Sequence, residues 1–182
     1  MKVTRLSIPD VCLMEPQVFS DARGFFLTTW NAEDFAREVS DAVFVQDNTS
    51  RSRQWALRGL HFQAQHTQGK LVRCAVGRIW DVVVDVRASS PTFGQWVGSE
   101  LSDENQHQLW IPAGFAHGFV VLSHSADVHY KVTEQYHPQS EQTLQWNDPM
   151  VGIAWPVPPR IAVLLSPKDA AGVRLADLVP LP

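Results

Sequence analysis

The sequence contains few cysteines, no excess of basic residues and no long apolar segment. Its 182 residues include two cysteines, Cys12 and Cys74, which match no metal-binding or redox spacing and indicate a reducing compartment. The formal net charge of -4 offers no broad basic surface, so nucleic acid is a poor candidate partner. The same net charge is compatible with a local basic pocket for a small anion. No stretch approaches the length of a membrane span, and residues 1–9 lack the apolar centre of a signal peptide. We therefore expect a cytoplasmic protein without a membrane partner.

The composition and the spacing of apolar residues favour one all-β domain. Hydrophobic residues make up 45% of the chain and charged residues 19%, and 182 residues suit a single domain over 1–182 with a sizeable core. Short apolar runs separated by turn residues recur along the chain, which is typical of a β-sandwich or barrel. The one helix that the pattern strongly predicts spans 32–39, where Asn31 is placed to cap the first turn.

A glycine between two alternating runs predicts a tight hairpin. The runs are Lys70–Val76 and Ile79–Arg87, separated by two residues that begin with Gly77. Pairing the runs places Lys70 directly across from Asp85. On an exposed surface such an ion pair would contribute little to stability. In a cavity, the carboxylate would instead hold the ammonium charged and aimed at a developing negative charge.

A histidine lies among apolar neighbours in the extended segment Arg58–Gln63. Histidine is the most common general base near neutral pH, so His61 is a candidate for that role, and a core histidine bonded to a backbone carbonyl is the alternative. Strict alternation would point Arg58 and His61 to opposite faces of the strand. A bulge at Gly59, or a phosphate bound around the rim of the barrel, would reconcile the two positions.

A series of longer motifs stands in a fixed order along the chain. They are Asp21-Ala22-Arg23-Gly24-Phe25-Phe26, Gln46-Asp47-Asn48, Leu57-Arg58-Gly59-Leu60-His61-Phe62-Gln63, Gly69-Lys70-Leu71-Val72-Arg73, Asp81 to Arg87, Ser90-Pro91-Thr92-Phe93-Gly94, Leu109 to Phe119 and Leu165-Ser166-Pro167-Lys168-Asp169. In this order the motifs resemble the dTDP-4-dehydrorhamnose 3,5-epimerase family, cupin-type nucleotide-sugar enzymes, over nearly the whole chain. The resemblance implies an all-β cupin jelly-roll barrel with short peripheral helices.

The same resemblance implies an isomerase of dTDP-L-rhamnose biosynthesis. Its substrate would be a dTDP-4-keto-6-deoxyhexose, dTDP-4-dehydro-6-deoxy-D-glucose, which is inverted at carbons 3 and 5 to give dTDP-4-dehydro-L-rhamnose. An enzyme that inverts one carbon of a related nucleotide 4-ketosugar is the alternative. The resemblance further implies a homodimer. The residues themselves, which offer donors for acid-base work without a cluster of metal ligands, predict no metal and no cofactor.

Carried over position by position, the resemblance implies that His61 is the base, that Asp169 orients its imidazole and that Tyr130 is the acid on the opposite face of the sugar. Lys70 would face the keto oxygen with Asp85 behind it. The positions that the resemblance assigns to substrate binding are Arg23, Thr28, Gln46, Asp47, Asn48, Arg58, Lys70, His117, Glu141 and Lys168. Where this chain has Thr28 the family commonly has a glutamate, so we expect the nucleotide to be held differently at that end.

The chemistry of ketone epimerisation suits these residue types. A proton beside a ketone is acidic because the carbanion spreads onto oxygen as an enolate, so catalysis needs a base, a cation near the oxygen and an acid on the other face. His61, Lys70 and Tyr130 supply these roles without a cofactor. A metal-dependent cupin is one alternative, but it would need clustered ligands, whereas Phe62 and Gln63 follow His61. A noncatalytic sugar-binding module is another, and it would leave Tyr130 as a core aromatic with a bonded hydroxyl.

Overall fold

Two β-sheets form the body of the protein in a computed structural model that describes residues 1–179 and 181. The strands are β1 (Lys2–Arg5), β2 (Cys12–Glu15), β3 (Val18–Asp21), β4 (Gly24–Leu27), β5 (Gln46–Arg53), β6 (Leu57–Gln63), β7 (Lys70–Val76), β8 (Arg78–Asp85), β9 (Trp96–Ser102), β10 (Gln108–Ile111), β11 (Phe115–Val121), β12 (Ser125–Val132) and β13 (Glu141–Thr143). The helices are α1 (Ala32–Glu38), α2 (Pro167–Ala170) and a short 3-10 helix (Leu175–Asp177). The predicted all-β class is confirmed.

The two sheets enclose one core. The first has six strands in the order β1-β2-β10-β7-β12-β5, and the second has five in the order β13-β6-β11-β8-β9. Side chains alternate along each strand, so Val72 and Val128 of the first sheet share a buried hydrophobic cluster with Val83 and Phe119 of the second. The remaining strands, β3 and β4, pair only with each other.

The hairpin predicted around Gly77 is wrong. Gly77 has a φ of +78° and reverses the chain. However, β7 pairs with β10 and β12 in the six-stranded sheet, whereas β8 pairs with β9 and β11 in the five-stranded sheet. Both strands are mostly buried, and each gains two partner strands and one side of the core by joining a separate sheet. Lys70 therefore lies opposite Ile111 and Val132.

The carboxylate of Asp85 serves the loop after β8. It accepts hydrogen bonds from the guanidinium of Arg87 at 2.6 and 2.9 Å and from the hydroxyls of Ser90 and Thr92 at 2.6 Å each. Burial alone would raise the pKa of Asp85, but these bonds outweigh burial and hold the pKa at about 2. The prediction that Asp85 stands behind Lys70 is wrong, because it depended on the incorrect hairpin register.

Parts of the outer faces of both sheets are also covered. The predicted helix after Asn31 is confirmed as α1, and the backbone N–H of Asp34 donates to the Asn31 side chain at 3.0 Å. Phe35 of this helix is buried and packs with Trp110 on the outside of the six-stranded sheet. Side chains that follow β13, Leu144 among them, form a buried hydrophobic cluster on the outer face of the five-stranded sheet. Of the helices in the described part of the chain, none has the length and apolarity to cross a membrane.

Candidate active site

A bulge in β6 brings Arg58 and His61 to the same side of their strand. His61 pairs with His117 of β11, and Arg58 pairs with Phe119, so two residues of β6 stand opposite one residue of β11. The predicted bulge at Gly59 is thereby confirmed. Gly59 has a φ of +108°, and a Cβ at this position would lie 2.5 Å from the carbonyl oxygen of His117.

Helix α2 supplies a buried carboxylate to His61. Asp169 is 4% exposed, and its Oδ1 lies 2.6 Å from Nε2 of His61. The hydroxyl of Ser166, which caps α2, donates to the other carboxylate oxygen at 2.7 Å. Burial alone would raise the pKa of Asp169, but the hydrogen bonds from His61 and Ser166 outweigh it and lower the pKa to about 2. An ionised carboxylate in this place favours the Nε2–H tautomer of His61 and leaves the lone pair on Nδ1 to accept a proton.

Lys70 reaches across the sandwich, from β7 of one sheet to β6 of the other. Its Nζ donates to the carbonyl oxygen of His61 at 3.2 Å, and the residue is 8% exposed. Burial lowers the pKa of Lys70 to about 8, and the negative charge of Asp81 opposes that shift. Lys70 is therefore a cation at neutral pH, in an interior where its charge acts strongly on nearby groups.

Asp81, and not Asp85, is the buried carboxylate that acts on Lys70. It is fully shielded from solvent on β8, and its two oxygens lie 2.9 and 3.0 Å from Nε2 of His117. Burial lowers the pKa of His117, against the opposing influence of Asp81. Asp81 was not among the predicted site residues, because the predicted hairpin placed Asp85 across from Lys70.

Tyr130 faces the same interior from β12. Its ring packs on the shared hydrophobic cluster, and its backbone lies directly opposite Asn48 of β5. Burial raises the pKa of Tyr130, and the positive charge of Arg58 acts in the other direction. The phenol is consequently protonated at neutral pH and can act as a proton donor. On the same face of β5, the Gln46 side chain donates to that of Asn48 at 2.7 Å.

Glu141 connects β13 with α2. Its carboxylate lies 2.7 Å from Nζ of Lys168 and accepts a hydrogen bond from the hydroxyl of Tyr136 at 2.7 Å. Burial alone would raise the pKa of Glu141, but these two partners outweigh it and lower the pKa. Glu141 and Lys168, predicted from sequence, therefore lie together beside Asp169. Tyr136 was missed, because it lies in a polar loop without any periodic pattern.

Three of the predicted substrate-binding residues are not brought to this site. Arg23 is exposed at the turn of the β3–β4 hairpin, and Thr28 follows that hairpin and lines a separate surface cleft. Asp47 points to the outer face of the six-stranded sheet, where it accepts a hydrogen bond from Lys131 at 2.8 Å. The prediction that the Asp47 side chain joins the site is wrong, because side chains alternate along β5.

The groups that do converge can move protons next to a carbonyl group. His61 offers the lone pair of one ring nitrogen while Asp169 bonds the other, Lys70 offers a buried positive charge, and Tyr130 offers a hydroxyl proton from the facing sheet. Such a set suits abstraction of a proton beside a ketone and its return from another direction. In residues 1–179 and 181, no group of three or more His, Cys, Asp or Glu side chains is arranged to hold a metal ion.

Several known proteins with similar sequences share one name. The family model described as dTDP-4-dehydrorhamnose 3,5-epimerase matches residues 5–177. The dTDP-4-dehydrorhamnose 3,5-epimerase of Pseudomonas aeruginosa is 55% identical over 178 residues, which cover 97% of this chain and 97% of that protein. The protein of the same name from Neisseria gonorrhoeae is 54% identical over 177 residues; they cover 97% of this chain, which spans about half (53%) of that protein.

Solved structures with the same fold include enzymes with bound nucleotide sugars. A dTDP-6-deoxy-D-glucose-3,5-epimerase from Legionella pneumophila Philadelphia 1, in complex with dTDP-4-keto-L-rhamnose, has a TM-score of 0.94 and 48% identity, covering 97% of this chain and 94% of that chain. A 3'-monoepimerase from Streptomyces bikiniensis, in complex with dTDP-quinovose, has a TM-score of 0.88 and 35% identity, covering 94% and 86%. These likenesses confirm the predicted cupin jelly-roll fold. By sequence and by fold, the chain belongs to the dTDP-4-dehydrorhamnose 3,5-epimerase family.

Proposed function

We propose that this protein epimerises dTDP-4-dehydro-6-deoxy-D-glucose at carbons 3 and 5 and forms dTDP-4-dehydro-L-rhamnose, in dTDP-L-rhamnose biosynthesis. The observation that carries the proposal is the pair formed by His61 and Asp169, 2.6 Å apart, with the Lys70 ammonium 3.2 Å from the carbonyl oxygen of the same histidine. Family membership supplies the substrate class. The pair and the ammonium supply the base and the cation that the reaction needs.

In the proposed reaction, His61 takes the proton from the carbon beside the ketone, and Asp169 stabilises the imidazolium that forms. The Lys70 ammonium faces the keto oxygen and stabilises the enolate while the charge develops there. Tyr130 then gives its proton to the same carbon from the opposite face, which inverts that centre; the proton held by His61 returns to solvent, and the Tyr130 phenolate takes up a proton from solvent. The same three side chains serve the second carbon after the sugar ring turns or repuckers.

We infer that the diphosphate of the substrate lies near Arg58 and Lys168. Arg58 donates from Nε to the Ser52 hydroxyl at 2.8 Å, which holds the side chain and leaves its terminal nitrogens for an anion. Lys168 is tied to Glu141 at 2.7 Å, so its position is also fixed. Asn48, on the inner face of β5, is placed to bind a polar part of the same ligand.

We also propose a homodimer in which the β3–β4 hairpin of each copy packs against the other copy. Phe19, Phe25 and Phe26 of this hairpin are 54%, 59% and 68% exposed. An isolated two-stranded sheet that carries such side chains usually has a covering partner. Because Arg23 stands at the turn of the same hairpin, a docked second copy is also the arrangement that would give Arg23 access to a substrate.

We further propose that residues 1–182 act as one domain and that the protein works in the cytoplasm. The first proposal is supported by the single hydrophobic cluster to which both sheets contribute. The second is supported by Cys12 and Cys74, which are both free thiols, as expected of a reducing compartment.

Deuterium uptake from D2O will show which carbons react. Incubation of dTDP-4-dehydro-6-deoxy-D-glucose with the protein in D2O should place deuterium at carbon 3 and at carbon 5, since each inversion needs one proton abstraction and one return from solvent-exchanged groups. The label can be located by NMR of the purified sugar nucleotide. Label at one carbon only, with a singly inverted product, would favour the alternative activity, as in the 3'-monoepimerase that shares this fold.

A Tyr130→Phe variant should retain proton abstraction but lose proton return. The substitution removes the hydroxyl and keeps the packed ring, so we expect substrate deuterium exchange to persist while product formation falls by about 10²-fold or more. Exchange and product are measured in the same D2O reaction. Wild-type turnover in a folded Tyr130→Phe variant would show that Tyr130 serves only in packing.

The alkaline limb of the pH profile should depend on Asp81. Because burial lowers the pKa of Lys70 to about 8, the rate should fall as pH rises through that value and the ammonium loses its proton. The negative charge of Asp81 raises the pKa of Lys70, so Asp81→Asn should move the limb to lower pH. Asp85→Asn is the matched control, since Asp85 serves Arg87, and its limb should stay in place. If the alkaline fall in rate occurs at the wild-type pH in both variants, Asp81 does not raise the pKa of Lys70.

A further inference from the structure

We propose that the outer face of the six-stranded sheet carries a second ligand site, a cleft that binds a small oxyanion of the phosphate class. The cleft has a volume of about 280 Å³ and lies on the side of the sheet away from His61. We call it the Arg73 cleft, and the residues on which the argument rests are Thr29, Thr49, Arg73, Gln108 and His129.

A row of hydrogen-bonding side chains crosses four strands at the floor of the Arg73 cleft. Arg73 of β7 lies directly opposite Gln108 of β10 on one side and His129 of β12 on the other, and His129 lies opposite Thr49 of β5. Side chains in directly opposite positions are about 4.5–5.5 Å apart at Cβ, so these four are close neighbours on one face. The row offers an amide, a guanidinium, an imidazole and a hydroxyl to a single ligand.

The row is distinct from the active site although it uses the same strands. His129 precedes Tyr130, and Thr49 follows Asn48, so alternation turns the two pairs to opposite faces of the sheet. Leu71, which also lines the cleft, belongs to the hydrophobic cluster beneath α1 on the outside of the sheet. Asn48 and Tyr130 also border the cleft, but alternation turns their side chains to the inner face, so a ligand in the Arg73 cleft and one bound beside the Tyr130 hydroxyl occupy opposite faces of the sheet.

Arg73 is the charge that needs a partner. Its side chain is partly buried, and within the part of the chain that the structure describes it has no hydrogen bond and no ion pair. Two carboxylates on the neighbouring strands β5 and β12 are already engaged, Asp47 by Lys131 at 2.8 Å and Asp127 by Arg51 at 2.6 Å. Burial lowers the pKa of Arg73, which reflects the cost of a desolvated cation without a counter-ion.

An oxyanion would supply the counter-charge that Arg73 lacks. A guanidinium binds two oxygens of one phosphate through parallel charge-assisted hydrogen bonds, and neighbouring donors can take the remaining oxygens. The side chain of Gln108 donates to the carbonyl oxygen of Thr29 at 3.0 Å, so one wall of the cleft is held in place before any ligand arrives. Lys131 also lines the cleft and adds positive charge that Asp47 balances, which leaves the charge of Arg73 in excess.

The test is binding of inorganic phosphate at low ionic strength, with the nucleotide site kept saturated by dTDP so that phosphate reports on the outer face alone. Binding is followed by ³¹P line broadening and by the rise in melting temperature. The variants are Arg73→Gln and a matched control, Arg53→Gln, which removes the same charge from an exposed position on β5 of the same sheet. His129→Ala is a second probe of the cleft if Arg73→Gln folds poorly, as judged by circular dichroism.

We expect wild type and Arg53→Gln to bind phosphate equally, Arg73→Gln to bind at least about tenfold more weakly, and His129→Ala to fall between them. Saturable binding that is equal in wild type, Arg73→Gln and His129→Ala would overturn the proposal, and so would the absence of saturable binding in wild type. Sedimentation supplies one further outcome. If Arg73→Gln weakens self-association and wild type binds no phosphate, then Arg73 pairs with a carboxylate of a second copy, and the oxyanion site is refuted.

Discussion

A His61→Ala variant should lose deuterium exchange and turnover together, by about 10²- to 10⁴-fold, because the residue is the base of the first chemical step. The fold should survive, since the imidazole is partly exposed and its loss leaves only the Asp169 carboxylate to be satisfied by water. Exchange is measured by NMR in D2O, the fold by circular dichroism and nucleotide affinity by dTDP titration. The dTDP affinity should remain near that of wild type, because the cationic groups proposed for the diphosphate are untouched.

An Asp169→Asn variant provides the graded comparison for this prediction. It retains the imidazole but removes the negative charge that holds the tautomer and stabilises the imidazolium, so its loss of rate should be smaller than that of His61→Ala. Undiminished exchange in a folded His61→Ala protein would show that another group takes the proton. In that case the hydrogen bond between His61 and Asp169 would serve only to connect β6 with α2.

Alanine in place of Gly59 should damage both stability and activity. The new Cβ would lie 2.5 Å from the carbonyl oxygen of His117 and 2.7 Å from Cα of Gly118. Both are backbone atoms, so no side-chain rotation can relieve the clash. The backbone φ of +108° is also one that an alanine rarely adopts. We expect the free energy of unfolding to fall by about 3 kcal/mol or more, and the rate to fall because Arg58 and His61 lose their common orientation.

The matched control is Gly152→Ala. Gly152 also has a positive φ, +64°, but the nearest atom to a Cβ there is 3.9 Å away, so alanine meets backbone strain without a clash. It should cost only about 1 kcal/mol, measured by urea denaturation of both variants, and leave turnover unchanged. Equal losses of stability in the two variants would mean that the close approach of β6 and β11 relaxes at little cost.

Much of the fold followed from local patterns. Lys70–Val76 was predicted as a strand and is β7, and the helix after Asn31 has the cap that its sequence indicates. The polar segment 49–54 has no apolar residue and so no pattern that predicts a strand, yet β5 runs through it to Arg53. That strand lies at the edge of its sheet, where the burial that creates an apolar pattern is incomplete.

The error at Gly77 shows where local patterns stop being informative. Turn residues determine that the chain reverses, but which strands then pair depends on the competition of all strands for two hydrophobic faces. Asp81 and Asp85 are separated by an even number of positions in β8, so alternation places both side chains on the same face. Nothing within the strand indicates which of the two lies near Lys70. The resemblance identified most of the site, but Tyr136 carried no local pattern and the change of sheet at Gly77 could be seen only in three dimensions.

The pair of His61 and Asp169 has a consequence for the order of events during folding. The two residues are separated by 108 positions, and the bond between them closes a loop that contains most of both sheets. Contacts of such long range form slowly, after local hairpins and the central strands have assembled. Catalytic competence should therefore be acquired late in refolding, when the C-terminal helix docks, and recovery of activity should lag behind recovery of the β-sheet signal.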